Sequence, residues 1–288
     1  MQGQTSAGST GIIGNLLKLI AKHQQTLKWI VYALLLVNFG YYIFDDWRAA
    51  QVTLGPDATL LKMMSNFATS IDELAWFFVL FLLEVETYWM EDDENGIFYW
   101  SVQAVRVACY GLIGHTLFAY ANELIDLNTV TLMAGVTNTC DLVGQDLSFL
   151  RNLLYEDITL KSCAGLSSSN ELYLYPQEPI VTDIAGYQQA VRHAWVDVID
   201  TMCWITVSLS MTFVILMQDR KIYKSVWIVR ADRAQIICYV ILVGEAAYWL
   251  YHGYYVYTWD TLLWIGGFAG IDANLVEWRD DLKEEQGR

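Results

Sequence analysis

Six stretches of mostly apolar residues run along the chain, separated by polar segments. Each is close to the length of about 20 residues that a helix needs to cross the hydrocarbon core of a membrane. Tryptophan and tyrosine gather at their ends, where amphipathic rings sit at the level of the lipid headgroups. The pattern predicts an all-α integral membrane protein with six transmembrane helices, spans one to six, at residues 28–45, 72–90, 98–120, 194–217, 235–254 and 256–278.

The segments outside these spans divide the rest of the chain. Ile12, Leu16 and Ile20 share one helical stripe, which predicts an amphipathic helix in the cytoplasmic interface. A long acidic loop separates spans three and four, and loops of this length usually fold. The predicted units are the interfacial helix at 1–27, spans one to three at 28–120, an extracytoplasmic loop at 121–193, spans four to six at 194–278 and a cytoplasmic tail at 279–288.

Lysine and arginine set the predicted orientation. With a cytoplasmic N-terminus, eleven of these basic residues fall on the cytoplasmic side and five on the other side. This asymmetry follows the positive-inside rule and places both termini in the cytoplasm. The chain has no Asn-x-Ser/Thr sequon, which favours a bacterial inner membrane over a glycosylated secretory route.

Composition agrees with a membrane environment. The 288 residues are 55% hydrophobic and 14% aromatic, which is more apolar material than one soluble core of this size requires. The formal net charge of −15 argues against nucleic acid as a partner, because that partner needs a basic surface. We expect the lipid bilayer as one partner, together with further copies of this chain or other membrane subunits.

Two of the five cysteines share the long polar loop. Cys140 and Cys163 lie there, whereas the other three lie in apolar stretches. Two thiols on one extracytoplasmic loop predict a disulfide. Two free thiols are the alternative.

Acidic residues inside the predicted spans carry the functional hypothesis. Glu84, Glu245 and Asp272 lie near the middle of their spans when depth is counted at about 1.5 Å per residue. An ionised group at the bilayer centre costs about 2.5–3.5 kcal/mol, so such acids need a proton, a cation, water or a basic partner. The predicted ion-binding or proton-binding layer consists of Glu84, Glu86, Glu245, Asp272, Asn38 and Asn274, with Arg106 as its counter-charge.

Four further acids lie nearer the extracytoplasmic ends of the spans. Asp197 and Asp200 are three residues apart and therefore share one face of span four. Asp72 and Asp260 occupy matching positions in spans two and six, whose sequences resemble each other as an internal repeat would. The four predict an outer approach for cations. Helix capping is the alternative explanation for Asp72 and Asp260.

The function we expect is a cation or proton channel or transporter that uses the buried acidic layer. No Gly-rich phosphate loop, nucleophile elbow, HExxH or CxxCH motif occurs, so the sequence does not predict an enzyme. No cofactor is expected apart from a bound cation, and the sequence leaves the identity of any metal open. The alternative is a non-transporting membrane subunit or scaffold whose polar layer fixes helix register. A haem subunit that uses His115, His193 and His252 is the third hypothesis.

Overall fold

The computed structural model describes residues 24–89, 96–220, 222 and 225–268. The predicted tail, and all but the last residues of the predicted interfacial helix, lie outside this part of the chain. Helices make up most of it. They are α1 (Gln24–Thr53), α2 (Leu60–Asn66), α3 (Ala68–Trp89), α4 (Ile97–Leu127), α5 (Cys163–Leu166), α6 (Ile184–Asp219), α7 (Val226–Tyr251) and α8 (255–268).

The six long helices pack into one bundle. α3 lies against α1 and α4, and α6 packs against both α4 and α7. Phe268 of α8 contacts Trp76 of α3 and Trp204 of α6, with ring centroids 5.7 and 5.4 Å apart. Ile113 and Leu242 belong to the buried apolar cluster that joins these helices.

All three prolines of the chain lie between helices or strands, so the long helices run without a proline kink. Pro56 stands in the connection between α1 and α2, where a helix cannot continue. Thr59 then begins α2 by accepting a hydrogen bond from the Lys62 amide at 3.2 Å.

Residues 128–183 form a small domain at one end of the bundle, which we call the cap. Its strands are β1 (Thr131–Leu132), β2 (Ser148–Arg151), β3 (Leu154–Asp157), β4 (Leu172–Leu174) and β5 (Ile180–Asp183). They form one sheet in the order β1-β4-β5-β2-β3, in which β2 and β5 are parallel and the other pairs are antiparallel. Cys140 and Cys163 form a disulfide, which confirms that prediction.

The β2–β3 turn joins the cap to the bundle. Asn152 and Leu153 have φ angles of 51° and 59°, as a two-residue hairpin turn of type I′ requires. The Asn152 side chain accepts a hydrogen bond from Gln189 Nε2 at 2.7 Å and donates one to the His252 carbonyl at 3.2 Å. The Tyr254 hydroxyl donates to the Asn152 carbonyl. The turn therefore bridges the start of α6 and the connection between α7 and α8.

Asp183 joins the cap to α6. Its carboxylate accepts hydrogen bonds from Ser167 Oγ and Arg151 Nη2, both at 2.6 Å, and from the Gly186 amide at 2.9 Å. Burial by itself would raise the pKa of Asp183, but these three donors outweigh burial and lower it. The ionised carboxylate is therefore the form that the fold stabilises.

One described helix is long and apolar enough to cross a membrane by itself. It spans Ile184–Met217, with a mean hydropathy of 1.7. The six spans predicted from the sequence are not supported by this criterion, whereas the helical class of the bundle agrees with the prediction. Polar residues interrupt the apolar stretches of the other helices, as Asn38 does in α1 and Glu245 does in α7.

Polar side chains lie inside the bundle and apolar side chains cover much of its outside. Asn38, Thr116, Gln235 and Glu245 are buried, whereas Val240 is 68% exposed. The bundle therefore has an apolar core with several buried polar residues and a helical surface rich in exposed apolar side chains. Other exposed apolar side chains of the long helices include Leu36, Val37, Phe81, Val107, Ile236, Ile237 and Val243.

Candidate functional site: an acidic cavity beneath the cap

A cavity of about 530 Å³ lies between the helices and the cap, and we call it the acidic cavity. Residues of α1, α3, α4, α6 and α8 form its walls, and cap residues such as Tyr155 complete it. Arg48 and Lys62 are the basic side chains among the described residues that line it, and Lys62 is paired with Glu178 at 2.5 Å. The acidic lining residues are Asp45, Asp46, Asp72, Glu73, Glu123, Asp126, Glu178, Asp197, Asp200 and Asp260.

Asp260 has the smallest exposed fraction of the acidic residues that line the cavity. It is 5% exposed, and its Oδ1 accepts a hydrogen bond from Asn38 Nδ2 at 2.6 Å. Glu73 and Tyr42 also interact with the same carboxyl group. Because a buried charge without a compensating partner is unfavourable, this group needs a shared proton or a cation in addition to the neutral amide.

A second carboxyl pair joins α6 to α7. The carboxyl groups of Asp200 and Glu245 lie within hydrogen-bonding reach of each other. Glu245 is 7% exposed, and its Oε2 has no hydrogen-bond partner. Two ionised carboxylates in contact repel, so the pair is stable only with a proton or a cation between or beside its members.

The structure brings together residues that the sequence prediction separates. Asn38 and Glu245 belong to the predicted layer, and Asp260 and Asp200 belong to the predicted outer approach, yet they form the two contacts just described. Asp200 and Asn38 lie at other depths than the sequence predicts, because α6 begins ten residues before its predicted span and α1 continues eight residues beyond its predicted end. Asp200, assigned to the outer end of span four, therefore lies well inside α6.

Asp72 and Asp197, also predicted for the outer approach, line the same acidic cavity. Asp72 Oδ1 is buried without a hydrogen-bond partner. Asp72 and Asp260, which the internal repeat aligns, thus contribute to one site from α3 and α8. Their predicted role in ion movement stays a prediction.

The remaining predicted site residues cannot be placed in the cavity. Glu84 and Glu86 belong to α3, but their side chains lie outside the described positions, as do the whole of Asp272 and Asn274. Arg106, the predicted counter-charge, lies on α4, where its Nη1 donates a hydrogen bond to Gln103 Oε1 at 3.4 Å.

An aromatic floor closes the described end of the cavity. It consists of Trp76, Trp204, Trp264 and Phe268, all of which line the cavity and are otherwise buried. The centroid of the Phe268 ring lies 5.4 to 6.0 Å from those of the three indole rings. Sequence reasoning did not identify this floor.

A repeated spacing could have revealed the floor. In α3, α6 and α8 an aspartate precedes a tryptophan by four residues, which places the two side chains on one helix face about one turn apart. These helices run away from the cap, so each tryptophan lies about 6 Å farther from the cap than its aspartate. In α7, which runs toward the cap, the spacing recurs with a glutamate. The four pairs are Asp72 and Trp76, Asp200 and Trp204, Asp260 and Trp264, and Glu245 and Trp249.

No group of three or more His, Cys, Asp or Glu side chains among the described residues is arranged to hold a metal ion. The carboxyl groups are instead spread over the wall of a cavity. Such a wall attracts positive charge without chelating it.

The chain matches no family model, no curated protein and no solved structure. The function therefore has to be argued from the acidic cavity itself.

Proposed function

We propose that this protein spans a membrane with several helices and moves cations or protons through the acidic cavity. One observation carries the proposal, namely that carboxyl groups from three helices converge on a single cavity. Glu73 of α3, Asp200 of α6 and Asp260 of α8 all line it. The two basic lining residues, Arg48 and Lys62, belong instead to the end of α1 and to α2.

The exposed surface supports a membrane environment for more than one helix. Asn38 of α1 and Gln235 and Glu245 of α7 are buried in the interior of the bundle, where intramembrane polar groups are normally found. Exposed tryptophans lie near both ends of α1, at Trp29 and Trp47. Their separation is about 27 Å at 1.5 Å per residue, close to the hydrocarbon thickness of about 30 Å. Trp100 of α4 and Trp227 of α7 are exposed at the end away from the cap.

The chemistry of the cavity suits the movement of positive charge. A wall dominated by carboxylates creates a negative potential that concentrates cations from the side of the cap. The contact between Asp200 and Glu245, and the buried Asp260, provide positions where a proton or a cation is needed for stability. Exchange of one positive species for another at these groups is the step that we propose for transport.

Flux measurements on the purified protein in liposomes test the proposal. We expect cation or proton flux above that of empty liposomes, measured with ion-sensitive dyes under an imposed gradient. Asp260→Asn should lower the flux about tenfold or more, because it removes charge from the cavity wall with little change of shape. Glu156→Gln is the matched control, since Glu156 is exposed on β3 and does not line the cavity.

Absence of flux from the unaltered, correctly inserted protein would refute the transport proposal. That result would favour the non-transporting membrane subunit or scaffold. Equal flux from the Asp260→Asn variant and the unaltered protein would instead show that the acidic cavity is not the path.

A further inference from the structure

Carboxyl groups and tryptophan rings alternate along the acidic cavity. The acidic members of the four repeated pairs come from α3, α6, α7 and α8. Trp76, Trp204 and Trp264 lie on the side of these acids away from the cap, in the aromatic floor. Trp249 lies on the side toward the cap, where its ring packs against that of Tyr257 with centroids 5.2 Å apart. The acids are therefore placed between two aromatic layers.

This arrangement has the properties that recognise an organic cation. The face of an indole ring carries negative partial charge and attracts a cation within about 6 Å of the ring centre. Nearby carboxylates add a full negative charge. A metal ion would need a compact set of oxygen, nitrogen or sulfur ligands, which the described residues do not provide.

The size of the cavity fits such a ligand. Its volume of about 530 Å³ lies within the range of about 300–1,000 Å³ that is common for small-molecule sites. A proton alone needs no chamber of this size, whereas an alkylammonium ion would fill part of it and bury its apolar groups against the rings.

Two buried carboxyl oxygens at the site also lack hydrogen-bond partners. They are Asp72 Oδ1 and Glu245 Oε2. Asp72 lines the cavity, and Glu245 contacts the lining residue Asp200. Buried polar groups are normally satisfied, so these two are positions where a ligand would supply a donor or positive charge.

We infer that the acidic cavity binds an organic ammonium ion, held by the lining carboxyl groups of Asp72, Asp200 and Asp260 against the aromatic floor. The inference rests on the proposed function and names the class of cation that the cavity accepts. Binding neutralises the acidic wall, and a proton shared by a carboxyl pair leaves when the ammonium ion arrives.

Calorimetric titration of the full-length protein in detergent tests this inference. The probes are choline, tetraethylammonium and 3,3-dimethylbutan-1-ol, the last of which has the shape of choline with carbon in place of the charged nitrogen. We expect both cations to bind with release of protons and the neutral alcohol to bind at least tenfold more weakly. Equal binding of choline and the neutral alcohol would overturn the inference.

Variants separate the contributions of charge and ring. Asp260→Asn and Trp264→Leu should each weaken choline binding about tenfold or more, while Trp264→Phe, which keeps a ring, should weaken it less. Trp195→Leu is the matched control, because Trp195 is exposed on α6 and does not line the cavity. Circular dichroism and gel filtration establish that each variant is folded. If the Asp260→Asn, Trp264→Phe and Trp264→Leu variants are all folded and all bind choline as tightly as the unaltered protein, the inference is overturned.

The two proposals fail in different ways. Flux of protons or inorganic cations without binding of either organic cation would contradict the ligand class and leave the transport proposal in place. Binding of choline without flux of any cation would contradict transport and support the ligand class.

Discussion

Asn38 illustrates how one neutral side chain can hold an acid inside the bundle. Its amide donates to Asp260 without adding charge, so the contact persists whether Asp260 is ionised or protonated. A basic residue at this position would fix a permanent salt bridge and compete with an incoming cation. The amide therefore positions the carboxyl group and leaves its charge available.

We predict that Asn38→Ala destabilises the protein by about 1–3 kcal/mol, because the buried Asp260 carboxyl group loses a donor. Asn122→Ala is the control, since Asn122 is exposed and its amide donates to Asp126 at 3.2 Å. That variant should change stability by less than about 0.5 kcal/mol. Thermal unfolding in detergent, followed by tryptophan fluorescence, measures both. Equal shifts for the two variants would contradict the prediction.

Asp183 predicts a pH dependence of cap stability. Its pKa in the folded protein is below the ordinary value of 3.8. As the pH falls, the Asp183 carboxylate therefore becomes protonated at a higher pH in the unfolded chain than in the folded protein. The stabilisation is fully present above about pH 4 and is lost as the pH falls through the lowered pKa. Asp183→Asn should cost about 1–3 kcal/mol at pH 7, because the buried carboxylate that accepts from Arg151, Ser167 and Gly186 is lost while the half-exposed Arg151 is partly hydrated.

Hydrogen exchange of the β5 amides measures this effect at a series of pH values. The difference between the unaltered protein and Asp183→Asn should shrink as the pH falls below 4. Glu156→Gln provides the control for a carboxyl group exposed elsewhere in the cap. A difference that stays constant down to pH 2 would show that Asp183 does not act through its charge.

At the scale of elements, the sequence predicts that the long helices exist better than it predicts the residues at which they begin and end. Apolar stretches mark where lipid or the core is contacted, but they carry no information about how far a helix continues through polar residues. α6 shows this, because its first ten residues are polar enough to be assigned to the preceding loop. The resulting error in depth separated Asp200 from Glu245 and Asn38 from Asp260.

The sheet of the cap could not be predicted from periodicity. Its strands are two to four residues long, which is too short for an alternating pattern to be recognised. The disulfide could be predicted, because it depends only on two cysteines in one polar loop that the sequence predicts to lie outside the cytoplasm. Long-range pairing between the strands then follows from tertiary packing around residues such as Phe149 and Val181.

The β2–β3 turn permits a test that separates backbone from side-chain effects. Asn152→Gly should lose only the side-chain hydrogen bonds to Gln189, His193 and His252, since glycine adopts positive φ freely. Asn152→Ala should lose about 1 kcal/mol more, because alanine is strained at a φ of 51°. Chemical denaturation in mixed micelles compares the two variants. If alanine proves at least as stable as glycine, the turn geometry described above is incorrect.

At the scale of the whole molecule, the distribution of polar and apolar side chains between interior and surface is the feature that bears on a membrane environment. The sequence predicts that acids lie inside a helical bundle, and the structure shows buried carboxyl groups beneath exposed apolar side chains. The number of membrane crossings, their orientation and the bacterial membrane stay predictions. The acid and tryptophan pairs are visible in the sequence as a repeated spacing, but only the packing of helices distant in sequence brings them to one cavity.

Cysteine labelling tests the predicted crossings directly. Asp57→Cys, between α1 and α2, and Ser168→Cys, in the cap, should react with an impermeant maleimide from the extracytoplasmic side. Arg220→Cys, just beyond α6, should react only from the opposite side. The native Cys109, Cys203 and Cys238 are buried and provide a low background. Labelling of all three engineered positions from one side of sealed membranes would rule out the proposed topology.

The cap is fastened at several places around its edge. The chain enters the cap from α4 and leaves it into α6. Asn152 donates a hydrogen bond to His252 in the connection between α7 and α8, and Lys62 of α2 forms an ion pair with Glu178 of the cap. Contacts at several places along its edge favour a cap that stays in position over the acidic cavity. If the transport proposal holds, the width of the gaps between cap and bundle, rather than an opening motion of the cap, decides which molecules reach the cavity.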